Sequence, residues 1–292
     1  MGGIKGPVVC RSTCGWVNTR NFTIMKTSAD VLPGQHLNAN KMPGHWMLAR
    51  MGKRVLRPGG LELTRELLAA LAINASDDVV EFAPGLGVTA RLALAKHPAS
   101  YIGIEREESA AAQVRARLGD PRCQCRVGDA AKTGLADDSA SVVYGEAMLT
   151  MQGPEQKAGI VREAFRVLRP GGRYGIHELA LAPDDVDEAV KADILHSLSD
   201  TIRVGARPLT VAEWTRVLES EGFVVRTHTL APMHLLEPRR VIKDEGIFRA
   251  LRFVFNVLRT PDARRRVRAM RAVFRRHEAN LRAVMFVASK PA

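Results

Sequence analysis

Glu81, Glu105, Asp129 and Glu146 each stand where a short apolar run ends, so a parallel sheet would line up four carboxylates along one edge. Acids so placed accept hydrogen bonds from hydroxyls and amines and attract cations, which is ligand chemistry rather than solvated decoration. Glu81 is the most informative. It precedes Ala83-Pro84-Gly85-Leu86-Gly87, a turn in which Gly85 and Gly87 let backbone approach a ligand where a Cβ would collide. Gly85-Leu86-Gly87-Val88-Thr89-Ala90 also fits the dinucleotide fingerprint, with Glu105 roughly 20 residues further on. A carboxylate at Glu81, however, repels a pyrophosphate seated on a helix N-terminus and attracts an ammonium group. The ligand expected here carries positive charge near the glycine turn. Glu105, followed by Arg106, ends the neighbouring strand, where an acid can accept from both ribose hydroxyls. His177, at the exit of a fifth strand, is the candidate base for an oxygen acceptor, with Glu178 beside it as a second possibility.

The elements that must hold these residues alternate between strand and helix. Val79–Phe82 is a buried strand, Thr89–His97 the first crossover helix, and Ala99–Glu105 the second strand. A helix over Ala110–Leu118, a strand Cys123–Val127 leading into Gly128-Asp129-Ala130, and a strand over Ser139–Ala147 follow. A helix over Glu155–Leu168 then turns through Arg169-Pro170-Gly171-Gly172 into the fifth strand. Thr210–Gly222 is a helix with Thr210 as N-cap and Glu213 completing a capping box, and strands Phe223–Thr229 and Leu281–Ser289 complete the sheet. Ahead of it all, His45–Leu56 is expected as a short amphipathic helix stopped by Arg57-Pro58-Gly59-Gly60, and Leu61–Ala72 as a helix with one leucine face.

The run Glu81-Phe82-Ala83-Pro84-Gly85-Leu86-Gly87 resembles motif I of the class I S-adenosylmethionine methyltransferases, and Leu168-Arg169-Pro170-Gly171-Gly172 resembles that family's turn after motif III. The resemblance covers residues 61 to 230 and the final strand. It implies a Rossmann-like, doubly wound α/β sheet of seven strands with the last strand antiparallel. It also implies S-adenosylmethionine as cofactor. Glu81 and the Gly85–Gly87 backbone would hold its methionine end, Glu105 the ribose, and Asp129 and Ala130 the adenine, with Ala83, Pro84 and Arg106 also in the cofactor-binding set. Glu146, at the same sheet edge, joins the cofactor-binding set. Glu81, Asp129 and the lack of a Tyr-x-x-x-Lys pair argue against the alternative of an NAD-dependent oxidoreductase. A basic RNA-binding or RNA-modifying protein is the other alternative, disfavoured by 5% aromatic residues to stack bases. The expected reaction is methyl transfer to a small acceptor, lipophilic ones included.

The net charge of +12 is concentrated: Glu237–Glu278 holds 13 Lys/Arg against 5 Asp/Glu. Residues 237–278 are read as a basic helical insertion before the last strand, a lid or an interaction surface. Within it Ile247, Leu251, Val254 and Leu258 form one stripe with Phe248 and Phe255 beside it and Arg249 and Arg252 outside; Thr260-Pro261 restarts a second helix with Ala263, Val267, Met270 and Phe274 on its apolar face. An anionic membrane surface is a candidate partner through residues 247–276. Residues 1–40, without periodicity, are expected to be a disordered leader ahead of one methyltransferase domain over 41–292. Cys10, Cys14, Cys123 and Cys125 lack Cys-x-x-Cys spacing, so no metal site is expected, and a cytoplasmic location is the default.

Overall fold

The apolar runs become the strands of one sheet. In the computed structural model, which describes residues 42–292, the strands are β1 (Asp78–Phe82), β2 (Ser100–Glu105), β3 (Cys123–Val127), β4 (Ala140–Glu146), β5 (Leu168–Leu181), β6 (Leu209–Thr210), β7 (Val224–Pro232) and β8 (Leu281–Ser289). Their order is β3-β2-β1-β4-β5-β8-β7, with the two-residue β6 attached to β5. The first five are parallel, and β8 lies antiparallel between β5 and β7. This is the expected Rossmann-like sheet with an antiparallel last strand. Because β2 and β4 flank β1 on opposite sides, the turn after β1 falls where the strand order reverses, the place open α/β sheets bind ligands.

The side-chain alternation of β1 sorts its neighbours into two layers. Val79 and Glu81 face the layer of α2 (Gly60–Ala70) and α3 (Val88–Leu94), where Leu63, Leu67, Ala90 and Ala93 pack on Tyr101, Val142 and Tyr144. Val80 and Phe82 face α5 (Pro154–Val167) and α7 (Val211–Ser220), where Ile160, Ala164, Trp214 and Leu218 meet Val143, Tyr174 and Phe286. The helix α4 (Glu108–Arg115) packs on β2 and β3 through Ala111 and Val114. The expected capping box of α7 forms: Thr210 Oγ1 accepts from the Glu213 N–H at 3.2 Å and Glu213 Oε2 accepts from the Thr210 N–H at 2.8 Å.

A third cluster gathers where β5 ends and β8 begins. Leu181 and Leu281 are paired there and pack with Met47 and Leu48 of α1 (Gly44–Arg50) and with Leu198 of α6 (Glu188–Ile202). Val241 of α8 (Pro238–Glu245), Phe253 of α9 (Ile247–Arg259) and Met270 of α10 (Pro261–Arg276) complete it. These helices form a cap over that edge. The helix α6 has no counterpart in the sequence reading; Asp187 starts it, its carboxylate accepting from the N–H groups of Ala189 and Val190 at 2.8 and 3.2 Å.

Two expectations change. The first helix stops at Arg50 rather than running to Leu56, since Gly52 takes a φ of +107° that turns the chain six residues early. In α9 the stripe Ile247, Leu251, Val254 and Leu258 faces outward, and the buried residues are Ala250, Phe253 and Val257. The expected leader, with Cys10 and Cys14, lies outside the described residues.

Candidate active site

The carboxylate of Glu81 is buried at the end of β1, and two tyrosines from the flanking strands share one of its oxygens. Tyr101 Oη donates to Oε2 at 2.6 Å and Tyr144 Oη donates to the same atom at 2.8 Å. Among the described residues no hydrogen bond reaches Oε1. Burial pushes the carboxyl up to about 7, against the two hydroxyls, which favour its ionised form. The chain then turns through left-handed backbone at Ala83 (φ +53°), Gly85 (+55°) and Gly87 (+68°), and Gly87 forms the N-cap of α3. A Cβ at Gly85 would meet no protein atom nearer than 3.9 Å, so the space beside it is open cleft.

Glu105 ends β2 directly opposite. Its Oε2 accepts from the Gly85 N–H at 2.9 Å and its Oε1 from the Glu107 N–H at 3.1 Å, which fixes the carboxylate against the glycine turn. Burial raises its pKa, partly offset by those N–H groups. Asp129, exposed just after β3, accepts from the Ala131 N–H at 2.8 Å and so caps a turn, while Ala130 beside it is buried.

These residues border a single cleft of about 450 Å³. Glu81, Ala83, Pro84, Gly85, Glu105, Arg106, Asp129, Ala130 and Glu146 all line it, whereas Gly87 lies behind it at the helix start. Its far end is apolar, walled by Trp46, Leu198, Ile202, Met233, Met270 and Phe274 from the cap.

Glu146 borders the cleft but has no capacity left for a ligand, which corrects its placement in the cofactor-binding set. Thr64 Oγ1 (2.6 Å) and His177 Nδ1 (2.7 Å) donate to its Oε1, while Thr89 Oγ1 and Arg57 Nε (3.3 Å) reach Oε2. Four donors occupy what a carboxylate offers. Burial pushes its carboxyl up, but the Arg57 guanidinium and the His177 ring outweigh this and leave it at about 2. The same cluster corrects His177. Its ring is fully buried, does not line the cleft, and spends Nε2 on the Pro58 carbonyl at 2.6 Å, so it cannot meet an acceptor. Glu178 is likewise committed: Oε1 accepts from the N–H groups of Met148 and Leu149, and Oε2 from the N–H and hydroxyl of Thr150. These three acids and bases hold loops in place.

One titratable side chain that the sequence reading passed over does face the cleft. His45, half-buried on α1 with its ring 4.6 Å from that of Trp46, has no hydrogen-bond partner among the described residues. Burial lowers its pKa to about 4, so the imidazole is neutral at ordinary pH. Only a His-Trp pair opening a short amphipathic helix marked it in the sequence, and that pattern carries no catalytic signature.

The family model of a methyltransferase domain matches residues 79–172, the stretch from β1 to the turn within β5. An uncharacterised Haemophilus influenzae protein is 34% identical over 221 residues, 74% of this chain and 86% of that one. A Mycolicibacterium smegmatis protein named "Probable S-adenosylmethionine-dependent methyltransferase" is 34% identical over 160 residues, 55% of this chain and 56% of that one. Among solved structures, phosphoethanolamine N-methyltransferase 2 of Haemonchus contortus in complex with S-adenosyl-L-methionine superposes with a TM-score of 0.66 at 15% identity, covering 91% of this chain and 60% of that one.

Proposed function

We propose that this chain, which belongs to the class I S-adenosylmethionine-dependent methyltransferases, transfers a methyl group to a small lipophilic acceptor bound in the apolar end of its cleft. The observation that carries this reading is the continuity of one cleft from the glycine turn to the wall of Trp46, Ile202, Met233 and Phe274. A chamber with that lining favours acceptors that leave water readily.

S-adenosylmethionine is the family's cofactor, and the donors present suit it. The unpartnered Oε1 of buried Glu81 supports a role in binding its ammonium group, and the open space at Gly85 supports close backbone approach there. Glu105, fixed by two backbone N–H groups, keeps further lone pairs for a diol, and Asp129 with Ala130 borders the place for the base. When bound, the cofactor supplies an electrophilic methyl on a sulfonium. The chain's share is to orient the acceptor, exclude water and receive a proton from it. His45 suits the last task, because it is neutral, faces the cleft and is committed to no other group.

Transfer of label from methyl-labelled S-adenosylmethionine to a panel of phenols, quinols and aliphatic alcohols tests the reading. Methylation of a lipophilic member with no turnover of charged, water-soluble acceptors is the expected result. Turnover confined to charged acceptors would overturn the assignment of the chamber.

A further inference from the structure

Helix α9 carries the most apolar exposed surface in the described chain. Phe248 is 88% exposed, Ile247 and Leu251 are 63% exposed, and Val254, Phe255 and Leu258 are about half exposed. At 100° per residue these six fall on one arc of about 120°, beside the buried arc of Ala250, Phe253 and Val257 that packs into the cap. The remaining arc holds Arg249, Arg252 and Arg259, all exposed, and Asn256, whose side chain donates to the Met51 carbonyl at 2.9 Å. No acid occurs between Ile247 and Arg259. None of the three arginines has a carboxylate partner among the described residues; Arg259 lies over the Phe255 ring at 5.3 Å.

Such a patch, rimmed by charge of one sign, is a binding surface. Its charge selects the occupant. A second copy packed symmetrically on α9 would bring Arg249, Arg252 and Arg259 against their own counterparts, an arrangement that like charges oppose. An anionic lipid surface satisfies both halves at once, because the aromatic and aliphatic side chains enter the acyl boundary and the guanidinium groups meet phosphates. The basic side extends past α9. Arg54, which lines the cleft, is held below the usual arginine range by burial and then by the Arg249 and Arg117 guanidinium groups. The inner residues Phe253 and Val257 pack in the same cluster as Met270, which walls the chamber.

We propose that α9 is an interfacial helix that seats this protein on an anionic lipid bilayer. Its six outward apolar residues insert at the level of the headgroups, and Arg249, Arg252 and Arg259 hold lipid phosphates. Among the described residues no helix is long and apolar enough to cross a bilayer. Docking stands on the surface of α9 alone. That a lipophilic acceptor reaches the chamber from the bilayer rests in addition on the methyltransferase reading.

Flotation of the full chain with vesicles of phosphatidylcholine, with and without phosphatidylglycerol, tests the docking in the absence of any cofactor or acceptor. Binding to the anionic vesicles, weakened by NaCl and at least about tenfold weaker with phosphatidylcholine alone, is expected. Because Phe248 and Leu251 are outward, F248S/L251S should keep the wild-type circular dichroism and S-adenosylhomocysteine affinity while losing vesicle binding at least about tenfold. R249S/R252S should lose the anionic preference. In Phe248→Trp, lipids brominated along the acyl chain should quench the introduced indole. Failure of the folded wild type to float with anionic vesicles overturns the proposal, as does F248S/L251S floating as well as wild type. Concentration-dependent dimerisation abolished by F248S/L251S, without vesicle binding, assigns the face to a second copy instead. Intact cofactor binding in that event leaves the methyltransferase reading untouched.

Discussion

The hydroxyl of Tyr101 donates to Oε2 of Glu81 at 2.6 Å and leaves Oε1 to the cleft. Two tyrosine hydroxyls on one oxygen hold the carboxylate in a fixed rotamer without neutralising it. The acid is therefore aimed before any ligand arrives.

The pH dependence of cofactor binding follows from that arrangement. Glu81 titrates at about 7, so it is protonated in the free protein at lower pH. An ammonium ligand favours the ionised acid, and affinity should be level above pH 7 and fall up to tenfold per unit below it. Glu81→Gln should weaken S-adenosylhomocysteine binding about 10- to 100-fold, as expected for a hydrogen bond to a charged group. Because the folded value lies above the ordinary 4.5, Glu81's contribution to stability is present below 4.5 and is lost as pH rises through 7. Glu81→Gln should therefore gain on wild type in urea stability between pH 5 and pH 8. Titration calorimetry and urea melts at both values provide the check.

Glu146 runs the other way. Its carboxyl sits near 2, so its stabilisation is complete above 4.5 and is lost as pH falls toward 2. Glu146→Ala strands Arg57 and His177 in the interior and should cost about 3–5 kcal/mol at pH 7. Urea unfolding should show the difference shrinking between pH 4.5 and pH 2.

His45→Phe keeps a ring against Trp46 but removes the proton acceptor. For a hydroxyl acceptor, kcat should fall about 10²- to 10⁴-fold with S-adenosylhomocysteine affinity unchanged. At saturating cofactor the wild-type kcat should fall only as pH drops through about 4, where the imidazole protonates. Equal loss in cofactor affinity and kcat would point to a packing role.

Gly85 and Gly60 face open cleft and packed protein respectively. Both have positive φ, but a Cβ at Gly85 meets open cleft whereas one at Gly60 lies 2.5 Å from the Asp244 carboxylate, which accepts the Leu61 N–H. Gly85→Ala should cost about 1–2 kcal/mol of stability from the left-handed backbone and abolish most cofactor affinity. Gly60→Ala should destabilise by more, and its loss of cofactor affinity should follow its unfolding. Thermal melts with and without S-adenosylhomocysteine distinguish the two.

The sheet was legible because its code is local. An apolar run, an acid and Gly-x-Gly specify a strand, its end and a turn, and β3 and β8 lie at the residues their runs predicted. The roles of Glu146 and His177 were not legible, since what decides them is the contact of Glu146 with Arg57, Thr64 and Thr89, 57 to 89 residues away, and of His177 with the Pro58 carbonyl, 119 residues away. The stripe on α9 was seen but not its direction. A periodicity marks an apolar face without saying whether protein covers it, and in α9 the smaller arc of Ala250, Phe253 and Val257 faces inward.

The cap draws on both ends of the described chain, and this orders events in time. Arg266 Nη1 donates to the Met42 carbonyl across 224 positions, and α1 packs on α6 and in one cluster with α10. Loop closure over such a separation is costly, so these contacts are expected to form after the locally connected β1–α3–β2 unit that carries the glycine turn. During synthesis the glycine-turn end of the cleft can take shape while its apolar end still lacks its walls. Until those walls close, a nascent chain holds the glycine-turn end of the cleft without its apolar end.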